Sequence, residues 1–351
     1  MTLKKLIIGS ILILLLSFAV SYFFFEHRYS ITINEEANSL TNATECTECA
    51  ANAANVEPTI NPKDRQISIL FAGDLMFDRH IREHAQANSN DYIFAKIKNT
   101  LLDNDFVLAN LECPITDNKS RSVGSIVGST NNFIFTCDTS IAKTLKEHNI
   151  SVVNLGNNHI LNFGQDGLKQ TYENLDANNI KYFGNVGNDD DKRMTTVELK
   201  GLKLVFVNYN QFINNALSYA LADIQKAKAL EPDLIIMYPH WGAEYITTAN
   251  RTIQNLAHQF IDEGADLVIG GHPHVVQQNA VYKGKTIYYS LGNFIFDQYF
   301  EKNVKNGLLV KITIDIETKT MEFEKIKIQM EKATGQTKLA SPSAQTSPIK
   351  N

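Results

Sequence analysis

The stretch DLVIGGHPHVV, residues 266–276, decides how the chain is read. A β-branched apolar run ends in two glycines, then in His272 and His274 with Pro273 between them. Runs of this kind form buried strands of parallel sheets, and α/β proteins bind ligands at the carboxyl ends of such strands. The glycines permit close backbone approach, and the proline restrains the turn. Two neutral imidazoles aimed at one point suit a transition metal.

Working outward, other apolar runs end in the same way. ISILFAGD ends at Asp74, FVLANLE at Glu112, ISVVNLGNNH at Asn158 and His159, and DLIIMYPH at His240. Singly, each polar residue has an ordinary explanation: a helix cap at Asp74, a salt bridge at Glu112, turn hydrogen bonds at Asn158 and His159, a core histidine at His240. Together, five strand ends offer Asp, Glu, Asn–His, His and His–x–His, and use four of the nine histidines. That donor mixture fits one or two divalent cations of the Mn²⁺, Zn²⁺ or Fe²⁺ type.

Helical periodicity between these runs is expected at 91–102, 140–148, 165–178, 219–230 and 251–264. Antiparallel pairs are expected at 195–199 with 203–209, at 308–316 with 321–329, and around the turn 283–285. Strands alternating with helices, followed by hairpins, argue for a layered α/β fold with mixed sheets, an arrangement that two packed sheets would satisfy.

The chain has 351 residues, with 20% charged and 44% hydrophobic, so core size is not limiting. A net charge of -5 gives no electrostatic case for nucleic acid. At the amino end, Lys4 and Lys5 precede an apolar run from Leu6 to Phe25, about long enough to span a bilayer. Aromatic residues 22–25 continue that run and make a poor cleavage site, so residues 1–26 are expected to be an uncleaved single-pass anchor. The positive flank places the body outside the cytoplasm. Residues 27–65 are polar, with Pro58 and Pro62, and are expected to be a flexible tether. The folded domain is expected at 66–331, and a disordered tail at 332–351. Of the four cysteines, Cys46 and Cys49 form a C-x-x-C in the tether, where a disulfide is the expected fate. Pairing of Cys113 with Cys137 is left open by the sequence.

The motifs GDLMFDR (73–79), NLECPIT (110–116), NNHILNFGQDGL (157–168), HWGAEY (240–245), GADLVIGGHPHVV (264–276) and SLGNFIFD (290–297) resemble the CapA family. That family belongs to poly-γ-glutamate capsule synthesis, and its domain is akin to the calcineurin-like metallophosphatases. The motifs follow family order over nearly the whole body. The resemblance implies a four-layer α/β/β/α sandwich with metals at the strand ends. It implies that Asp74 binds a first metal, Glu112 bridges two, Asn158, His240 and His272 hold the second, and His274 completes the first. His159 would be the proton donor or electrostatic clamp. The implied partners are the membrane, an acidic polymer such as poly-γ-glutamate, and the membrane subunits of a capsule synthase.

The chain departs from the metallophosphatase pattern at two ligand positions. Met76 stands where the third residue of Asp-x-His is usual, and Glu112 replaces a bridging Asp. A thioether is a poor ligand for these ions, so a single cation, or a binding site without turnover, stays open. Four further residues are expected around the site: Arg79 as an anion clamp or a surface salt bridge, Asn110 orienting Glu112, and Glu244 and Asn293 holding ligand loops in place. Three functional classes follow: a capsule synthesis component, a metal-dependent hydrolase of the envelope, and a binding module without catalysis.

Overall fold

In the computed structural model, strand β1 (Gln66–Leu75) splits its side chains between two cores. Ile67, Ile69 and Phe71 enter one apolar layer, and Leu70 and Ala72 enter another. This is the period-two alternation of a strand buried on both faces. The structure describes residues 65–184 and 192–341. The chain divides into two units, Met1–Thr59 and Ile60–Asn351, and every described residue lies in the second.

After β1 come helices α1 (Arg79–Ala87), α2 (Asn90–Phe94) and α3 (Lys98–Leu102), then β2 (Phe106–Leu111), α4 (Ser140–Glu147), β3 (Ile150–Asn154), α5 (Gly164–Ala177) and β4 (Lys181–Phe183). The second half holds β5 (Met194–Leu199), β6 (Leu202–Asn210), α6 (Ala216–Ala229), β7 (Leu234–His240), α7 (Arg251–Glu263) and β8 (Leu267–Ile269). It closes with β9 (Asn279–Tyr282), β10 (Lys285–Tyr288), β11 (Asn293–Ile295), β12 (Asn306–Asp315), β13 (Met321–Met330) and β14 (Thr337–Leu339).

One sheet runs β14-β13-β12-β1-β2-β3-β4, with β11 also paired to β1; the other runs β5-β6-β7-β8-β10-β9. Within the first, β1 through β4 are mutually parallel, while β12, β13 and β14 add antiparallel. Within the second, β6, β7, β8 and β10 are parallel, flanked by antiparallel β5 and β9. The sheets face each other across a layer in which Phe206 meets Phe71, Phe106 and Phe183 at centroid distances of 6.4, 6.2 and 5.9 Å. Truncating such a side chain to alanine costs about 3–5 kcal/mol. The outer face of the first sheet packs on Ile81, Phe94, Leu101, Leu145 and Leu168, and that of the second on Ile224, Ala257 and Phe260. The order of layers is therefore helix, sheet, sheet, helix.

Two expectations need correction, and one helix was not expected. The single helix expected over 91–102 is two short helices, because the chain turns at Ala95 and Ile97. Helix α1, started by Asp78 accepting the Arg79 N–H at 3.0 Å, was not anticipated. The tail expected from Lys332 is not disordered over its first ten residues. There β14 pairs with β13, Thr337 is buried with its hydroxyl on the Phe294 carbonyl, and Gln336 Nε2 donates to Tyr92 O at 2.6 Å. Its polar composition hid a short edge strand whose stabilising contacts are long-range. The expected anchor, tether and C-x-x-C lie outside the described residues. Among the described residues, no helix is long and apolar enough to cross a membrane. Cys113 and Cys137 form a disulfide.

Candidate metal centre

Strands β1, β2, β6, β7 and β8 all deliver their carboxyl ends to the same edge of the two-sheet stack. Two links fasten the sheets there: Tyr238 Oη donates to Ala72 O at 2.7 Å, and Asn208 Nδ2 donates to Asn154 Oδ1 at 3.0 Å. Into this edge project Asp74, Asn110, Glu112 and His240, each fully buried.

Asn110 is the hub. Its Nδ2 lies 2.8 Å from Asp74 Oδ1, 2.9 Å from Glu112 Oε1 and 3.1 Å from His240 Nδ1. Its Oδ1 accepts from Asn154 and Asn157 at 2.9 and 3.2 Å. The role expected for it, orienting Glu112, extends to Asp74 and His240. His240 Nε2 lies 2.9 Å from Asn158 Oδ1 and 3.6 Å from Glu112 Oε1.

The turn after β8 brings in the other two imidazoles. Gly270 and Gly271 are needed there: a Cβ on the first would stand 2.1 Å from Tyr289 O, and on the second 2.8 Å from Asp74 Oδ1. His272 and His274 both have positive φ, 96° and 56°. Such strain costs on the order of 1–3 kcal/mol per residue and clusters at functional sites. The His272 N–H reaches Asp74 Oδ2 at 3.3 Å. His274 Nδ1 lies 3.3 Å from Asp74 Oδ2 and 2.8 Å from Asn293 Oδ1, and its Nε2 is 3.9 Å from Glu112 Oε2.

Two clusters of donor atoms result. Asp74, Glu112 and His240 form one and Glu244, His272 and His274 the other, each with its donor atoms within 4.8 Å of one another. Asn158 joins the first through His240, and the Asp74–His274 contact connects the two. Two buried donor atoms, Glu112 Oε2 and His272 Nδ1, have no protein hydrogen-bond partner. Leaving such groups unsatisfied is costly, and a divalent cation satisfies carboxylate and imidazole together, so the residues fit a metal.

The electrostatics agree. Burial would raise Asp74, but the hydrogen bond and charge of His274, with His240 and Asn110, hold it well below the usual carboxylate range. Burial and the charge of Asp74 push Glu112 well up. Burial, then the charges of neighbouring histidines, lowers His240 well below its ordinary value and brings His272 to about 4. His240 and His272 are thus neutral at pH 7, the form that ligates metal.

His159 sits beside this edge. Its N–H is held by Asn157 Oδ1 at 3.0 Å and its Nδ1 lies 3.2 Å from Asn162 Oδ1; its ring packs 4.4 Å from that of Phe135. Burial lowers it to about 4. Arg79 is engaged by an ion pair to Asp297, lies 4.8 Å over the Phe135 ring and donates to Asn132 O at 3.3 Å. The structure contains a salt bridge, but with only 13% and 8% of the two side chains exposed it is not the surface pair expected. Asn293 holds His274, as described, and donates to Val304 O at 3.0 Å. Met76 lies in the apolar layer under the helices, its sulfur accepting the Asp78 N–H at 2.9 Å.

Sequence reasoning missed the asparagine ladder of Asn154, Asn157, Asn208 and Asn210, which locks the two sheets together behind the ligands. Each is a polar residue at or just beyond an apolar run, the same signal that pointed to the ligands.

Residues 68–298, well over half of the chain, match the family described as bacterial capsule synthesis protein PGA_cap. The chain is 28% identical to the capsule biosynthesis protein CapA of Bacillus anthracis over 294 residues, 78% of this chain and 70% of that one. It is also 28% identical to the PGA biosynthesis protein CapA of Bacillus subtilis (strain 168), over 77% of this chain and 73% of that one. Among solved structures, a hypothetical protein from Thermus thermophilus aligns at 16% identity with a TM-score of 0.45, over 74% of this chain and 99% of that one. The chain belongs to the PGA_cap family of bacterial capsule synthesis proteins, the CapA family its motifs resemble.

Proposed function

We propose that the chain is a membrane-anchored component of poly-γ-glutamate capsule synthesis or export. Its folded body stands outside the cytoplasm and holds one or two divalent cations on Asp74, Glu112, Asn158, His240, His272 and His274. The observation that carries this reading is that two buried donor atoms at this edge, Glu112 Oε2 and His272 Nδ1, each lack a protein hydrogen-bond partner. The anchor rests on the apolar run 6–25 behind Lys4 and Lys5.

A bound divalent cation supplies positive charge to an acidic chain, which a protein of net charge -5 otherwise lacks. Asn110 keeps both carboxylates and His240 in register, Asn293 orients His274, and the asparagine ladder fixes the edge. The partners this reading names are the membrane, the acidic polymer and the synthase's membrane subunits, with no role for nucleic acid. Deleting the gene should abolish the polymer, and His240→Ala or His272→Ala should do the same with the protein still present. Normal capsule in both variants would overturn the proposal.

One observation favours a second reading, a metal-dependent hydrolase of the envelope. His159 is buried, neutral and oriented by Asn162 beside the cluster, as a proton-transferring group must be. Protein loaded with Mn²⁺ should then cleave a generic phosphodiester, and His159→Ala should abolish cleavage. Inactivity with several metals would remove this reading and leave the first intact.

A further inference from the structure

Met76, where a ligand is usual, is turned away from the cation edge, and a carboxylate outside the expected ligand set stands beside two of the imidazoles. Met76 is buried among apolar side chains and its sulfur is occupied by the Asp78 N–H, so it adds nothing to the cation edge. On the opposite sheet, four residues past His240, Glu244 brings a carboxylate oxygen within 4.8 Å of donor nitrogens of both His272 and His274. We propose that Glu244 is a direct ligand of the cation held by His272 and His274. This rests on the metal-binding reading above.

The loop carrying Glu244 is held by other groups. The Trp241 N–H donates to Gly271 O at 3.2 Å, and the Tyr245 N–H to Pro273 O at 2.8 Å. Gln211 clamps Gly242 from both sides, accepting its N–H and donating to its carbonyl, each at 2.7 Å. The two backbone bonds tie the Glu244 loop to the His272–Pro273–His274 turn. Backbone and Gln211 do the holding that the sequence alone suggested for Glu244.

The charge balance points the same way. Asp74 and Glu112 give the first cluster two carboxylates, whereas His272 and His274 bring no carboxylate of their own to the second. A carboxylate adds the anionic oxygen that borderline and hard ions take, and it tilts the site toward Mn²⁺. Glu244 is exposed where His272 and His274 are buried, which makes it the solvent-side ligand.

The test is calorimetric titration of Mn²⁺ into the metal-stripped full-length chain in detergent, for the wild type, Glu244→Gln and Glu244→Asp. Glu244→Gln should weaken one Mn²⁺ site at least tenfold, Glu244→Asp should restore part of that loss, and the metal-free unfolding midpoint should not move. His272→Ala should weaken the same site. Unchanged Mn²⁺ affinity in Glu244→Gln would overturn the inference while the metal-binding reading stands. So would a fall in the metal-free midpoint without loss of affinity, which marks a loop-holding role. A wild type that binds no Mn²⁺, Zn²⁺ or Fe²⁺ would overturn both.

Discussion

Asn293 Oδ1 lies 2.8 Å from His274 Nδ1, across a register in which Asn293 on β11 pairs directly with Asp74 on β1. Because Asn293 Nδ2 donates to Gln298 and to Val304 O, its oxygen is the acceptor, and Nδ1 of His274 carries the proton. Nε2 is then the nitrogen available to a cation, and it lies 3.9 Å from Glu112 Oε2. Partners of this kind are worth about 10–100-fold in metal affinity. Asn293→Ala should weaken metal binding by that range with secondary structure unchanged, as read by competition with a chelator.

Asn110 serves three acidic or basic side chains with one amide nitrogen. Asn110→Ala leaves Asp74 and Glu112 facing each other without that donor. The metal-free protein should lose about 1–3 kcal/mol of stability, the cost of unsatisfied buried groups. Added Mn²⁺ should recover most of it. Urea unfolding with and without metal measures both effects.

His159 gives the folded state a pH signature. Burial brings its pKa to about 4, below the ordinary 6.5. Between those values the unfolded chain binds the proton and the folded chain does not, so stability rises with pH. The stabilisation is complete above about pH 6.5 and is lost as pH falls toward 4, on the order of 3 kcal/mol in all. Raised Glu112 acts in the opposite direction in the same range, so the contribution of His159 is a difference between two proteins. His159→Gln should flatten the wild-type slope over pH 4–6.5, measured by urea midpoints.

The Cys113–Cys137 disulfide closes a loop of sequence separation 24, beginning one residue after Glu112 and carrying Phe135, which packs on His159. Replacing both cysteines by serine should cost roughly 3–4 kcal/mol, by the loop-closure argument. Thermal unfolding with and without reductant should show that loss in the wild type and none in the double variant.

The sequence carried the convergence of five strand ends because each apolar run stops at a polar residue, and parallel strands all stop on one side. It could not say which strands face each other, since alternation assigns faces but not partners. That is why the ladder from Asn154 to Asn208 across the two sheets was invisible, as was the place of Glu244 beside His272 and His274. Strand β14 escaped for a related reason: Thr337 and Gln336 are polar, and their bonds go to Phe294 and Tyr92, far away in sequence. Met76 was expected to be a poor ligand because of its thioether, and the structure shows its sulfur turned into the core.

The central claim is that the clustered carboxylates and imidazoles hold a divalent cation. Elemental analysis of the full-length protein, purified without chelator, tests it most directly, alongside Asp74→Asn and His240→Ala. The account predicts one or two equivalents of Mn, Zn or Fe in the wild type and a clear loss in both variants while they remain folded. A folded wild type free of metal, or variants that keep its full metal content, would contradict it.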